Sequence, residues 1–495
     1  MGSEAVGTPP PPDSLDRPEA GAKAIRGGAI RAVAFVLNTL LITATVPLMT
    51  RHLGAENFGR FVTASSIVMI VAGITEFGLS GVGTREYALA GVAERRRLLG
   101  NLLALRTLLT LVGLAAGVLL MLVAGYPSIV LEGMAIAGLG LILLNAQQTL
   151  ALVLTASLSW GLYSLFELVN TAVIAGGTVL LVLIGAGLLP FFYVSALSSL
   201  AALAVTVVVL RGHVVPARFD IVYWRRMLRD SLPYAAAATV GILYFRIALI
   251  VVSLGSTAAQ TGYYSTAFKI VEVISGFAFL MASSAFPIFA RAGRDDHERL
   301  RYGSGRVGET ALIVGVYVAL SLAIAAPFVI LVIGGSGYRP AVPVLRVQAI
   351  TLVATFMGAT WSFALLSLKE HKRLLQANGV ALVVAIVLSL VLVPEFAAQG
   401  AAAATAATEF SLAALYWMSL SRSHARIRPS LALLPKVMGA AGAAGAIALF
   451  VPLPSIALWA IGSLVYLLAL LAMRAFPPEL AHVLLRRDRR AASPT

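Results

Sequence analysis

Two positively charged side chains lie inside apolar stretches that are long enough to cross a membrane. Arg246 interrupts the apolar stretch 233–254, and Lys269 lies in the next one, 263–286, with Glu272 three positions after it. A fixed cation at membrane depth is costly, so it normally faces protein or a water-filled cavity and marks a functional pathway. The pair therefore predicts an anionic ligand that is handled inside the membrane.

Each basic side chain also has a simpler interpretation. Arg246 could extend its charge to the outer headgroups, and Lys269, which is nearer to the end of its span, could do so more easily. Lys269 and Glu272 fall on one helix face and could neutralise each other. Arg31 and Arg106 lie near the inner ends of their spans, where headgroup contact is the first interpretation. Turned inward, they would form a basic entrance for a diphosphate.

Further polar residues fall at predicted membrane depth. Glu76 is either an ion-pair partner of Arg31 or Arg85, or a titratable group that couples transport to the movement of an ion. The other polar positions are interpreted first as interhelical hydrogen-bonding groups and second as contacts to a sugar; they include Asn38, Glu167 and Asn170.

The elements that must position these residues are transmembrane helices. Of the 495 residues, 59% are hydrophobic and 12% are charged, and the mean hydropathy is +0.91. Apolar stretches of about 18 residues or more recur along the chain, which predicts an all-α polytopic membrane protein with about fourteen helices. The predicted spans are 28–50, 60–82, 98–123, 132–157, 163–186, 190–210, 232–254, 263–288, 307–333, 343–367, 375–393, 400–420, 435–451 and 455–473.

The distribution of charge predicts the orientation in the membrane. The net charge is +15, and the Lys and Arg residues cluster in the even-numbered gaps and in the tails, which places both termini in the cytoplasm of a bacterial inner membrane. The same clustering argues against a nucleic-acid partner. The chain has no Cys, and its six His have no metal-ligand spacing. We therefore predict no metal site and no cofactor, and the choice between H⁺ and Na⁺ as a coupling ion stays open.

An internal repeat predicts two lobes. Leu53-Gly54 leads to Gly59-x-Phe-x-Thr-Ala at the start of the second span, and Leu254-Gly255 leads to Gly262-x-Tyr-x-Thr-Ala at the start of the eighth. An offset of six helices gives a parallel repeat, and transport sites in such folds lie between the halves. The predicted domains are a disordered cytoplasmic tail at 1–25, an N-lobe at 26–230 and a C-lobe at 231–422. The last two helices and a basic cytoplasmic tail follow at 423–495.

Several motifs occur in an order that resembles one family over about residues 26–420. They include Leu53–Phe61, Glu76–Ser80 and Thr84–Ala88 in the first half, and Tyr244–Ile247, Gly262–Ala267 and Tyr338–Arg346 in the second. They resemble the Wzx-type polysaccharide (O-antigen or exopolysaccharide) flippases of the multidrug/oligosaccharidyl-lipid/polysaccharide exporter superfamily. One departure is Ala248, where the family often has Asp.

The resemblance implies two six-helix lobes around a central cavity, additional C-terminal helices and alternating access. It also implies an undecaprenyl-diphosphate-linked oligosaccharide as the substrate, with membrane lipids, a polysaccharide polymerase and export machinery as partners. Three alternatives stay open: a lipid II flippase, a cation-coupled multidrug antiporter of the same superfamily, and a membrane enzyme of polysaccharide assembly. The short outer loops argue against an enzyme, because they leave no room for a donor site.

Overall fold

The computed structural model describes residues 20–157, 159–423 and 427–475, which form helices and their connections. Two short 3₁₀ turns occur at Arg211–His213 and Ser336–Tyr338. The α-helices in chain order are α1 Ala20–Glu76, α2 Leu79–Leu89, α3 Val92–Val123, α4 Ser128–Ala156, α5 Trp160–Leu183, α6 Leu188–Val209, α7 Ile221–Gly255, α8 Ala258–Asp295, α9 His297–Gly334, α10 Ala341–Ser367, α11 His371–Ser421, α12 Leu434–Phe450 and α13 Ser455–Ala472.

The apolar character of the helices confirms a polytopic membrane protein. By length and composition, ten helical segments of the described residues could cross a membrane, and two shorter apolar helices lie at Thr239–Gly255 and Leu434–Phe450. Helices α1 and α11 each contain a kink, so each corresponds to two predicted spans. Every predicted span therefore has a helical counterpart, and the predicted fold class is confirmed.

The two ends of the chain are only partly described. Residues 1–19 of the predicted disordered tail lie outside the described residues, while α1 begins at Ala20, inside the segment assigned to that tail. The basic C-terminal tail from residue 476 onward also lies outside the described residues.

The kinks occur where the backbone leaves the helical region. In α1, Gly54 has a φ of 71°, a conformation that glycine adopts without the steric cost of a Cβ atom. In α11, Ala397 has a φ of 47° and a ψ of −125°. The chain turns so tightly there that a Cβ atom on Gly400 would lie 2.1 Å from the carbonyl oxygen of Leu392. Each kink separates two spans that the sequence predicts as distinct helices.

The described residues divide into two compact units. The first comprises residues 20–48 and 71–238, and the second comprises 49–70 and 239–475. In the first unit, Leu79, Leu98 and Leu102 belong to a buried core formed by α2, α3, α4 and the start of α7. In the second unit, the larger core is built on α7, α8, α9, α10 and α11. Residues 49–70 of α1 therefore belong to the second unit, although they precede most of the first unit in sequence.

The repeat motif forms a nearly symmetric helix crossing inside the second unit. A Cβ atom on Gly59 would lie 1.8 Å from the carbonyl oxygen of Ala258, and one on Gly262 would lie 2.0 Å from that of Ala55. The Thr four residues after each glycine donates to the carbonyl oxygen of that glycine at 2.9 Å in both copies. Small residues let helix backbones approach this closely in membranes. The two copies of the repeat thus meet at equivalent positions.

Two basic residues at or near the predicted outer ends of spans have structural partners. Arg51 donates to the carbonyl oxygen of Leu331 at 3.1 Å, near the C-terminus of α9, where a cation is favourable. Arg346 donates to the carbonyl oxygen of Ala323 at 3.3 Å. That carbonyl lies four residues before Pro327, which has no N–H to donate to it. These exceptions to the charge asymmetry therefore satisfy backbone groups of α9.

The connection between α6 and α7 is fixed to the start of α3 in the first unit. Arg97 forms an ion pair of 2.6 Å with Asp220, and Asn101 accepts hydrogen bonds from the backbone of Asp220 and from the indole of Trp224, each at 3.1 Å. The hydrogen bond from Arg97 lowers the pKa of the Asp220 carboxyl group below its usual value. At least one residue of the inner basic clusters therefore makes a specific tertiary contact.

The membrane orientation remains a prediction that reporter fusions can test. Fusions after residues 258, 337 and 396 should report the outside, and fusions after 220, 298 and 370 should report the cytoplasm. These positions lie at or beside helix ends or the α11 kink. A cytoplasmic signal at 258 would contradict the assignment of six helices to each lobe.

Candidate functional site

An ion-pair cluster joins α7 to α8 within the second unit. Glu272 places Oε1 3.2 Å from Nη2 of Arg246 and Oε2 2.8 Å from Nζ of Lys269. Both contacts are charge-assisted hydrogen bonds, which are stronger than neutral ones. The predicted pairing of Lys269 with Glu272 is confirmed, and Arg246 shares the same carboxylate. We call these three residues the basic triad, because two cations and one anion leave it with a formal charge of +1.

The charge of Arg246 is held mostly inside the protein. Its side chain is only 11% exposed, and its guanidinium carbon lies 5.8 Å from the ring centroid of Phe268, on the next helix. An aromatic face and a carboxylate surround it, which favours the interpretation that Arg246 faces protein. Lys269 is more accessible, with 40% of its side chain exposed.

A cavity of about 210 Å³ opens among α7, α8, α10 and α11, and Glu272 lies in its wall. Aromatic rings and hydroxyl, amide and carboxyl groups line it together, which is the mixture found in small-molecule sites. Its lining includes Tyr244, Phe245, Phe268, Ser275, Phe279, Gln348, Thr355, Asn378, Glu409 and Tyr416. The basic triad thus reaches this cavity through Glu272, and the cavity is bordered by four helices.

A second carboxylate, Glu409, lies across this cavity and was missed by the sequence interpretation. It accepts a short hydrogen bond from the hydroxyl group of Tyr244 and another, of 3.0 Å, from Thr355. Glu409 is the only charged residue in the predicted span 400–420. An isolated acid in an apolar span is expensive and usually functional, so this signal could have identified it.

The carboxylate of Glu409 also lies near Ala248, the position where the family often has Asp. Ala248 on α7 and Glu409 on α11 line the same small cavity of about 30 Å³, with Tyr264 and Thr405. Tyr264 and Thr405 share a hydrogen bond of 3.0 Å. A side chain larger than alanine at position 248 would therefore point into the surroundings of Glu409.

One buried amide in the larger cavity has unused hydrogen-bonding capacity. Gln348 on α10 is 1% exposed, and neither Nε2 nor Oε1 has a described residue in normal hydrogen-bonding geometry. A buried polar group without a partner costs about 1–3 kcal/mol, so natural proteins rarely keep one without a purpose. The amide is available to a ligand or to a side chain that changes its rotamer.

The first unit contains a separate polar cluster around Arg106. Its side chain donates to Glu76 at 3.3 Å, to Ser80 at 2.5 Å and to Thr149 at 3.3 Å, and the residue is only 1% exposed. The expected headgroup position is therefore wrong for Arg106, because three partners hold the guanidinium inside the helix bundle. Its predicted contact with a diphosphate stays a prediction.

Glu76 has a structural role that the sequence did not indicate. Helix α1 ends there, and Phe77 and Gly78 have φ angles of 50° and 68° before α2 begins. The carboxylate accepts hydrogen bonds of 2.9 Å from the backbone N–H groups of Gly78 and Ser80, so it caps the interrupted helix. Its ion-pair partner is Arg106 rather than the predicted Arg31 or Arg85, because the helix break turns the carboxylate toward α3.

Replacing Glu76 with Gln should lower stability. The change leaves Arg106 buried without a counter-ion, and breaking such a pair costs about 3 kcal/mol. Glu298→Gln is the matched control, since Glu298 is 90% exposed and pairs with Arg301 at 3.5 Å. Thermal unfolding of the purified proteins in detergent measures both. Unchanged unfolding of Glu76→Gln, together with loss of pH-dependent transport, would instead support the coupling interpretation.

The other predicted polar residues of the first unit have varied surroundings. The guanidinium of Arg31 lies 4.3 Å from the ring centroid of Trp160 and 5.7 Å from that of Tyr163. Asn170 donates to Ser198 at 3.3 Å, which links α5 to α6 as an interhelical hydrogen bond. Glu167 is exposed, and Oδ1 of Asn38 is buried without a hydrogen bond to a described residue. Asn170 thus shows the predicted interhelical contact, as do Asn145, which donates to Thr110 at 2.8 Å, and Gln147, which donates to Thr206 at 3.3 Å.

Comparisons with known proteins agree with this architecture. The family described as "Polysaccharide biosynthesis protein" matches residues 24–292, more than half of the chain. The fold is similar to that of a lipid II flippase, MurJ, in an inward closed conformation, with a TM-score of 0.72, 14% identity, and coverage of 89% of this chain and 98% of that one. An inward-facing multidrug resistance MATE transporter of the MOP superfamily gives a TM-score of 0.61, 15% identity, and coverage of 78% and 96%. An outward-facing multidrug resistance MATE transporter of the MOP superfamily gives a TM-score of 0.54, 15% identity, and coverage of 80% of this chain and 94% of that one.

The chain is therefore a polytopic membrane protein with the fold shared by MurJ and the MATE transporters. It belongs to the polysaccharide biosynthesis protein family, which confirms the predicted resemblance. A comparison with curated protein sequences gave no significant match.

Proposed function

We propose that this protein is a flippase that moves a polyprenyl-diphosphate-linked oligosaccharide across the bacterial inner membrane for polysaccharide assembly. The observation that carries the proposal is the basic triad, a cluster with a formal charge of +1 on the apolar helices α7 and α8. Family membership supports the polysaccharide, and the similarity to MurJ and MATE transporters supports a transporter fold.

The proposed mechanism needs no covalent chemistry. Arg246 and Lys269 bind the diphosphate oxygens through charge-assisted hydrogen bonds, and Arg246 can bind two oxygens at once. The polyprenyl chain stays in the lipid, and alternating access then exposes the oligosaccharide on the other side. Arg31 and Arg106 are proposed to guide the diphosphate from the cytoplasmic side, Arg106 after leaving its present partners. Asn38, Glu167 and Asn170 are proposed to border the sugar path.

Three other functions make different demands on the site. A lipid II flippase would use the same diphosphate chemistry, so only the sugar distinguishes it. A multidrug antiporter for cations would need uncompensated acids, and Glu409 offers one, but the net positive charge of the triad repels a cation. A membrane enzyme would need catalytic groups in loops, and the described outer connections are short.

The accumulated intermediate distinguishes these functions. In a strain that lacks this protein, mass spectrometry of the lipid extract should find an accumulated polyprenyl-diphosphate-linked oligosaccharide. Accumulation of lipid II would identify the alternative flippase. A normal lipid profile with increased sensitivity to cationic drugs would identify the antiporter, and a shortened glycan would identify an enzyme of assembly.

Glu409 is the proposed site of ion coupling. Its carboxylate faces Tyr244 and Thr355 inside the larger cavity, where a proton or Na⁺ would change the charge of the second unit. Glu76, which was considered first for this role, is fixed by a helix cap and by Arg106. We propose that coupling uses Glu409, with the partners being the lipid-linked oligosaccharide, membrane lipids and, downstream, a polymerase and export machinery.

Replacing Glu409 with Gln should make export insensitive to the ion gradient. The glutamine amide can keep one hydrogen bond with Tyr244 or Thr355, but it cannot take up a proton and has no negative charge to balance Na⁺. Export measured while pH and Na⁺ concentration are varied tests this, and Glu395→Gln, an exposed acid on the same helix, is the control. Adding Ala248→Asp to the Gln variant should restore part of the dependence, because both positions line one small cavity. Unchanged ion dependence in Glu409→Gln would refute the assignment.

A further inference from the structure

We propose that Glu272 is an internal competitor of the transported diphosphate. It neutralises Arg246 and Lys269 while the site is empty, and it leaves them when the diphosphate binds. This inference rests on the proposed function and extends it, because it names the residue that sets how tightly the diphosphate is held. Glu272 would then determine release as well as binding.

The contacts of Glu272 are those that a diphosphate would need. Its two oxygens bind two different cations, at 3.2 Å for Arg246 and at 2.8 Å for Lys269. A single carboxylate therefore bridges donors from two helices, as two phosphate oxygens could. While Glu272 stays there, its negative charge lies beside both cations and repels an incoming anion. Binding of the diphosphate is therefore favoured when Glu272 moves away.

The two cations do not depend on Glu272 alone for their positions. Arg246 is mostly buried and lies against the ring of Phe268, which contributes a cation–π contact. Lys269 lies one helical turn before Glu272 and has 40% of its side chain exposed. If Glu272 changes rotamer, the guanidinium keeps its aromatic support and the ammonium remains accessible. The site would be preformed for an anion.

The cavity gives the displaced carboxylate a place to go. Glu272 is 24% exposed and lines the space of about 210 Å³. The same space is lined by Ser275, one turn farther along α8, and by Gln348, whose buried Nε2 donor has no described residue in normal hydrogen-bonding geometry. A charge that leaves two cations needs other donors. The amide of Gln348, which lies beside the hydroxyl group of Tyr264, is such a donor.

An internal competitor has a direct consequence for transport. Two adjacent cations without a counter-ion would hold a diphosphate tightly, and tight binding slows release on the other side. The carboxylate lowers the affinity, because part of the binding energy is spent on displacing it. Removing the charge of Glu272 should therefore strengthen diphosphate binding and slow export. Removing the side chain of Arg246 should weaken diphosphate binding and also reduce export.

The test uses the full-length protein, purified in detergent, with inorganic diphosphate and farnesyl diphosphate as the two probes. Titration calorimetry should give a dissociation constant at least about 10-fold lower for Glu272→Gln than for the parent protein, and export should fall. Gln retains the shape, but its amide has a single accepting oxygen and no charge, so it cannot hold both cations as the carboxylate does. Tighter binding of both probes would assign recognition to the diphosphate group. Tighter binding of farnesyl diphosphate alone would still support the displacement of Glu272 and would show that the prenyl chain contributes to binding.

Two controls separate this effect from general charge and from misfolding. Glu298→Gln also raises the net charge by one, at an exposed position, and should bind as the parent does. Glu272→Ala should show the same gain as Glu272→Gln, and unfolding temperatures report the integrity of each variant. Parent-like or weaker binding in both folded Glu272 variants overturns the inference.

The same titrations distinguish this failure from failure of the proposed function. If the parent binds the diphosphates and Arg246→Ala does not, while the Glu272 variants show no gain, only the inference fails. If neither the parent nor the Glu272 variants bind either probe, and Arg246→Ala exports normally, the diphosphate function fails as well.

Discussion

Arg246→Ala should nearly abolish glycan export while leaving the protein in the membrane at its normal abundance. The substitution removes the buried guanidinium that is proposed to bind the diphosphate. It does not leave an uncompensated charge, because Glu272 keeps its ion pair with Lys269 at 2.8 Å. Function and folding should therefore separate in this variant. Export of labelled glycan and immunoblotting of membranes, in a strain that lacks the chromosomal copy, measure the two quantities.

Two further substitutions make this result specific. Arg246→Lys keeps the charge but loses the planar donor geometry, so partial export is expected. Arg301→Ala removes a charge from an exposed side chain, 62% accessible, and should export normally. Normal export by Arg246→Ala at unchanged abundance would remove the main support for an anion site in the second unit.

Gly59→Ala and Gly262→Ala should each destabilise the protein by about 2 kcal/mol or more, as expected for overpacking. The added methyl groups would lie 1.8 Å and 2.0 Å from backbone carbonyl oxygens, so the outer part of α1 and the start of α8 must move apart. Because both changes separate the same two helices, the double variant should cost less than the sum of the single variants. Thermal unfolding in detergent measures the three proteins.

Gly276→Ala is the matched control for these variants. It lies on α8, and a Cβ atom there would meet no atom within 4 Å. The change should be neutral or slightly stabilising, because Ala favours a helix by about 1 kcal/mol relative to Gly. Parent-like unfolding of Gly59→Ala and Gly262→Ala would show that the two repeats do not pack as closely as described.

The sequence predicted the spans because the bilayer imposes a simple length rule. A helix must be apolar over about 20 residues to cross, and the chain marks each limit with charged residues, Gly or Pro. The kinks at Gly54 and Ala397 lie between predicted spans, so the helix count did not depend on tertiary contacts. The repeat around Gly59 and Gly262 was likewise visible, although its close packing was not.

Side-chain partners could not be obtained in this way. Glu272 was predicted to pair with Lys269 because the two share a helix, but its contact with Arg246 joins residues on different helices. The predicted ion-pair partner of Glu76 was wrong for the same reason. The observed partner, Arg106, belongs to α3, and the helix break at Phe77 and Gly78 turns the carboxylate toward it. Periodicity within one helix gives no information about the rotation of the next.

The sequence by itself thus determined the membrane fold class, the family and the basic character of the seventh and eighth predicted spans. Only the tertiary structure decided that the two cations share Glu272, that Glu409 faces Tyr244 and Thr355, and that Gln348 is buried in the same cavity. The physical reason is that hydrophobic length and charge are properties of a single segment. Ion pairs and cavities depend on how several helices rotate and cross, which their packed side chains fix together.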